Sequence, residues 1–134
     1  MAGLQLRIET HQRTQLVDIT DRVREAIGTT DKSVVTLFVP HTTAGVVVQA
    51  AGEGATAVAR DLASALERIV DESWVWEHTS EGDGNPWSHV RTALTGSSLT
   101  IPLVDGRPAL GDLQAIFLCE FDGPRSRTLH VVVH

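Results

Sequence analysis

The sequence predicts an α+β fold of largely antiparallel sheets with about three helices. Three observations carry that expectation. Segments rich in β-branched residues, such as SVVTLFV at 33–39 and RTLHVVV at 127–133, recur along the chain. Gly, Pro and Asp turns bound them, as in DGRPALGD and GPRS. One longer stretch, about 53–70, repeats its apolar residues at helical spacing. The 134 residues amount to one ordinary domain, spanning 1–134.

Element by element, LQLRIET (4–10) alternates apolar and polar residues, the period of a half-buried strand, and 14–19 forms a returning strand. Thr20 stands where a cap would open a short helix over DRVREAI, with Gly28 as its stop. Pro40 closes the strand at 33–39, and GVVVQ (45–49) resumes strand character. In the long helix, Val58, Leu62, Ala65, Leu66 and Ile69 make the apolar stripe. WVWEH reads as a further strand ending at His78, followed by the loop 79–85. Asn85 suits a cap and Pro86 a first helical position, so a short helix begins there and ends at Thr95-Gly96. Three more strands follow, at 98–104, 113–122 and 127–133.

Composition narrows the function. With 42% hydrophobic and 21% charged residues the chain can bury a core, so disorder is excluded. A formal charge of −6 argues against nucleic-acid binding, which needs a basic surface. No segment approaches the ~20 apolar residues of a membrane span. The start of the chain lacks the apolar core of a signal peptide, and Cys119 has no second cysteine to pair with. A cytoplasmic protein is the expectation.

Candidate chemistry concentrates in the histidines. His11 and His134 read as solvated, and His130 as a cross-strand packing residue. His41 follows a strand, His78 precedes the loop and His89 lies one turn into the short helix. Three imidazoles at the edges of regular elements suit a divalent metal such as zinc, although their spacing matches no local metal signature. Asp83, Glu81 and Asn85 add oxygen ligands in the loop, with Glu81 reading most simply as solvated, but the acid spacing is wrong for a calcium loop. Arg91, Arg107 and Arg125 are candidate anion clamps, with Arg125 the one that reads most simply as surface charge. Cys119 reads as inert core, whereas Glu120 points to the other face of its strand, toward a cleft or an interface.

HTTAG at 41–45, the run from His78 through EGDGNPWSH, and LTGSSLTIPLVDGRPALGDLQAIFLCEFDGPR at 94–125 resemble the YjbQ family over about residues 4–133. The resemblance implies a β-sandwich-like subunit that assembles as a homotrimer. It also implies a weak thiamine-phosphate synthase activity, which joins a pyrimidine methyl pyrophosphate to a thiazole phosphate and releases pyrophosphate. It places a site on His41, His78 and His89, with Asp83 and Asn85 in the loop between. Thr42, Thr43, Arg91 and Arg107 are then the expected substrate-binding residues, and zinc or magnesium the expected metal. Where the family continues with Asn-Glu, this chain has Gln49-Ala50, which puts a carboxylate of the site in question. The expected partner is a small phosphorylated or heterocyclic substrate. The alternatives are a trimeric ligand-binding protein without turnover and a metal-dependent hydrolase.

Overall fold

The computed structural model describes residues 2–79 and 84–134. Among these, the elements run β1 (Ala2–Glu9), β2 (Gln15–Asp18), α1 (Thr20–Ile27), β3 (Val34–Phe38), β4 (Ala44–Ala50) and α2 (Ala55–Ile69). They continue with α3 (Pro86–Thr95), β5 (Ser98–Val104), β6 (Arg107–Pro108), β7 (Gln114–Glu120) and β8 (Ser126–Val133). One sheet has the order β1-β8-β3-β5-β6 and the other β2-β7-β4. Every pairing is antiparallel. The α+β, sandwich-like expectation therefore holds.

Alternation explains how the two sheets meet. On β8, Leu129 and Val131 share a face, and on β7 so do Ile116 and Leu118. These residues join Val35, Leu37, Val46 and Ile101 in one apolar core between the sheets, which Val23 and Ile27 of α1 help to fill. β7 is the middle strand of the small sheet and is buried from Ala115 to Glu120. Its other face holds Phe117 and Cys119, and burial pushes the Cys119 thiol up to about 12, so it is inert as expected. Phe38 and His130 stand opposite each other on β3 and β8 with their rings stacked, so His130 is a packing residue.

Local chemistry departs from the sequence reading at three points. Thr20 is the first helical residue rather than the cap. Asp18 does that work, accepting from the Thr20 N–H at 3.0 Å and its Oγ1 at 2.7 Å. WVWEH is not a strand. It pairs with no strand among the described residues, and its backbone bonds close locally, with the Trp74 N–H donating to the Asp71 carbonyl at 3.2 Å. Trp74 and Trp76 stack on each other instead of crossing a sheet. The stripe of α2 is only half covered, and Ile69 is exposed.

Candidate active site

The site lies at the end of the sandwich where β3 runs out, β4 begins and β7 turns into β8. Pro40 stops β3 and delivers His41 beside β8. The His41 Nε2 accepts a hydrogen bond from the Thr128 backbone N–H at 2.9 Å. A neutral imidazole whose Nε2 accepts must carry its proton on Nδ1. Burial first, and then the Arg127 guanidinium, hold the His41 imidazole below its ordinary 6.5, while Glu120 opposes them. His41 is thus a neutral N–H donor at pH 7.

α3 brings the other histidines. Asn85 precedes Pro86 as expected, but its side chain makes no cap hydrogen bond. It turns sideways into the site. Its Nδ2 donates to Asp122 Oδ2 at 2.8 Å, and Asp122 in turn pairs with Arg125 at 2.7 Å. A carboxylate presents only lone pairs, so the amide meets it with its NH2 and turns its oxygen the other way. That oxygen receives His78 Nε2 at 3.0 Å and His89 Nε2 at 3.2 Å. The two rings meet edge to face at 5.2 Å. Both therefore carry the proton on Nε2 and leave Nδ1 as a lone pair, the reverse of His41.

Beneath these groups the two sheets join through a buried ion pair. Glu120 follows Ile116 and Leu118 on the inward face of β7, and Arg127 precedes Leu129 and Val131 on that of β8. Arg127 donates to both Glu120 oxygens and to Thr43 Oγ1 at 2.8 Å. Thr10 Oγ1 donates to Glu120 Oε1 at 2.7 Å, and the Asp122 N–H donates to its Oε2 at 2.9 Å. Burial alone would raise Glu120, but the Arg127 pairing and these hydrogen bonds outweigh it and set its carboxyl below the ordinary 4.5. Above the pair opens a pocket of about 580 Å³, within the range of small-ligand sites. Phe38, His41, Asn85, His89, Asp122 and Arg125 are on its walls.

A family model described as UPF0047 protein YjbQ-like matches residues 4–134. The chain belongs to the YjbQ family. UPF0047 protein MJ1081 of Methanocaldococcus jannaschii is 36% identical over 129 residues, covering 95% of this chain and 90% of its own length. UPF0047 protein YugU of Bacillus subtilis is 32% identical over 130 residues, or 94% of each chain. Among solved structures, hypothetical protein APE1520 from Aeropyrum pernix K1 superposes with a TM-score of 0.89 at 30% identity, over 100% of this chain and 98% of that one. Conserved hypothetical protein TT1486 from Thermus thermophilus does so at 0.87 and 34%, over 98% and 99%.

Within this YjbQ fold the expected site residues divide. His41, His89, Asn85, Thr42 and Thr43 line the one pocket, and His78 joins through Asn85. Thr43 is buried, and its oxygens serve Arg127. Arg91 is not a substrate clamp. Its guanidinium is buried and donates to the Val70 carbonyl at 2.7 Å and the Glu67 carbonyl at 3.3 Å, tying down the C-terminus of α2. Arg107 lines a different recess with Arg24 and Gly28. Asp83 lies outside the described residues. Gln49 and Ala50 pair with Ala115 and Gln114, whereas the site end of β4 pairs Ala44 with Glu120. Five residues of strand separate Ala44 from Gln49, about 17 Å. Within the chain, the Asn-Glu departure is thus remote from this pocket.

The donor set suits neither zinc nor magnesium. Among the described residues no group of three or more His, Cys, Asp or Glu side chains is placed to hold a metal ion. The ring nitrogens give the reason. His41 has its lone pair on Thr128 and its proton on Nδ1, while His78 and His89 turn Nε2–H toward Asn85. The three imidazoles as placed do not fit a common metal, and magnesium would in any case prefer oxygen ligands. Asp122, Arg127 and Phe38 were missed from the sequence. Arg127 had a signal, because it continues the inward face of Leu129 and Val131 yet is charged.

Proposed function

We propose that the pocket binds a small phosphorylated heterocycle and performs the pyrophosphate-releasing transfer that the family resemblance implies. The observation that carries this reading is the opposition of tautomers, with His41 offering a proton and His89 a lone pair on one pocket. Pairs of titratable groups with opposed roles are the mark of acid–base chemistry. Phe38 and Pro40 supply the apolar wall against which a flat ring packs, and Arg125, half exposed, has guanidinium N–H groups left for phosphate oxygens. In the transfer, the thiazole nitrogen forms a bond to the methylene carbon of the pyrimidine. The carbon–oxygen bond to pyrophosphate breaks, and pyrophosphate departs with the bonding electrons. His41 Nδ1–H donates to the departing oxygen.

The test is pyrophosphate release from a pyrimidine methyl pyrophosphate and a thiazole phosphate. His41→Ala is expected to lower the rate roughly 100-fold with the fold intact. Tight binding of either substrate without release would sink the transfer and leave a ligand-binding protein. Elemental analysis separates both from a metal-dependent hydrolase. Stoichiometric zinc or magnesium that vanishes in His78→Ala would mean that the imidazoles release Asn85 and Thr128 to a metal.

We also infer a homotrimer. Val75, Ile69 and Leu94 are more than half exposed, and Val75 and Val90 share an apolar recess with His78 and His89. Exposed apolar surface beside a recess favours association, and the resemblance supplies the number of copies.

A further inference from the structure

We propose that Asp122 is a positioning residue of this site: through the Asn85 amide it orients His78 and His89 together and couples them to Arg125. The proposal deepens the acid–base reading above and rests on it for its consequence, but not for its geometry. An amide is nearly symmetric in shape, so nothing in the packing of Asn85 alone decides which end faces the histidines. Hydrogen bonding decides it. Asp122 Oδ2 stands 2.8 Å from Asn85 Nδ2, and a carboxylate oxygen there rejects the amide oxygen. With that end fixed, the single Oδ1 collects both imidazole N–H groups, at 3.0 and 3.2 Å.

Asp122 is itself held from two sides. Its backbone N–H donates to the buried Glu120 at 2.9 Å. Its carbonyl and carboxylate both receive the Arg125 guanidinium, at 2.7 Å each. The buried Glu120–Arg127 pair thus fixes the connection between β7 and β8 across the two sheets, that connection sets Asp122, and Asp122 sets the tautomers. If Asp122 were lost, the Asn85 amide would be free to rotate and offer NH2 to the imidazoles. The lone pairs would then move from Nδ1 to Nε2, and Arg125 would lose its carboxylate.

The experiment is nitrogen-15 side-chain NMR of the full chain, above the pH at which the imidazoles are neutral. In the wild type, His78 and His89 are expected to show the nitrogen-15 signals of the Nε2–H tautomer, read through their carbon-bound ring protons. His41 is expected to show the opposite, Nδ1–H, pattern. Asp122→Ala should abolish the His78 and His89 signals and leave His41 unchanged, since Thr128 holds it. Asp122→Asn retains an acceptor oxygen and should restore them. Should the alanine variant fail to fold, Asp122→Ser, whose shorter side chain falls short of Asn85 Nδ2, is expected to abolish the same two signals. A proton on Nδ1 of His78 or His89 in the wild type would overturn the proposal. So would Asp122→Ala spectra indistinguishable from wild type. None of these spectra depends on turnover, so a failed transfer assay with them intact would refute the substrate reading alone.

Discussion

His41 and Glu120 both sit in the buried end of the sandwich, and the same surroundings give them testable pH behaviour. The folded His41 imidazole is held below 6.5 by burial and then by Arg127. The unfolded chain therefore binds the proton first as pH falls, and the neutral ring's contribution to stability, present above 6.5, is lost below it. Its NMR titration midpoint is expected below 6.5, and a midpoint at or above that value would contradict the arrangement. Glu120 obeys the same sign. Its folded carboxyl lies below 4.5, so its stabilisation is present above that pH and disappears as pH falls through the lowered value. Glu120→Gln leaves Arg127 buried without its counter-charge. Denaturant unfolding at pH 7 should show a loss of about 3–5 kcal/mol, and the variant's stability should depend less on pH in the acid range.

Elements, not single side chains, bring the site residues within reach, and here the sequence was unevenly legible. The strands and helices around the site could be read directly. Val34–Phe38, Ser98–Val104 and Pro86–Thr95 differ little from the segments their β-branched runs and Pro-Gly punctuation suggest. The WVWEH segment misled because β-propensity says nothing about whether a partner strand is present. The histidine cluster was legible as a set but not as a geometry, because tautomers depend on Thr128 and Asp122, far along the chain. Arg91 misled because its destination, the C-terminus of α2, is set by how α3 packs. That packing also gives a prediction. A methyl group on Gly45 of β4 would collide with the Gly96 carbonyl and Thr95 Oγ1, where α3 ends. Gly45→Ala should cost about 1–3 kcal/mol and displace α3. The Nε2–H tautomer signals of His78 and His89 should be lost while His41, carried on the β3–β4 loop, keeps its pattern. An unchanged spectrum would mean that α3 is positioned by something other than its contact with β4.

At the scale of the whole molecule, several large apolar side chains stand in solvent. Ile69, at the end of α2, is 62% exposed, Val75 is wholly exposed and Leu94, on α3, is 60% exposed. The stacked Trp74 and Trp76 lie in the same loop as Val75. A chain with a formal charge of −6 has no general reason to leave this much apolar surface in water, since its charges keep separate copies soluble only where apolar surface is small. The homotrimer proposed above would place a second copy against the recess of Val75, Val90 and Pro86, beside the imidazoles. Stable assemblies bury on the order of 1,600 Å² per interface, so charges placed on its exposed apolar residues should be felt strongly. Light scattering is expected to give a trimer for the wild type and a monomer for Val75→Asp combined with Leu94→Asp. The double variant should also lose pyrophosphate release if the neighbour closes the site, yet keep the His41 Nδ1–H pattern, which the Thr128 N–H sets within the chain. A wild type that scatters as a monomer would sink the assembly. A variant that dissociates but retains full turnover would place the whole site within one subunit.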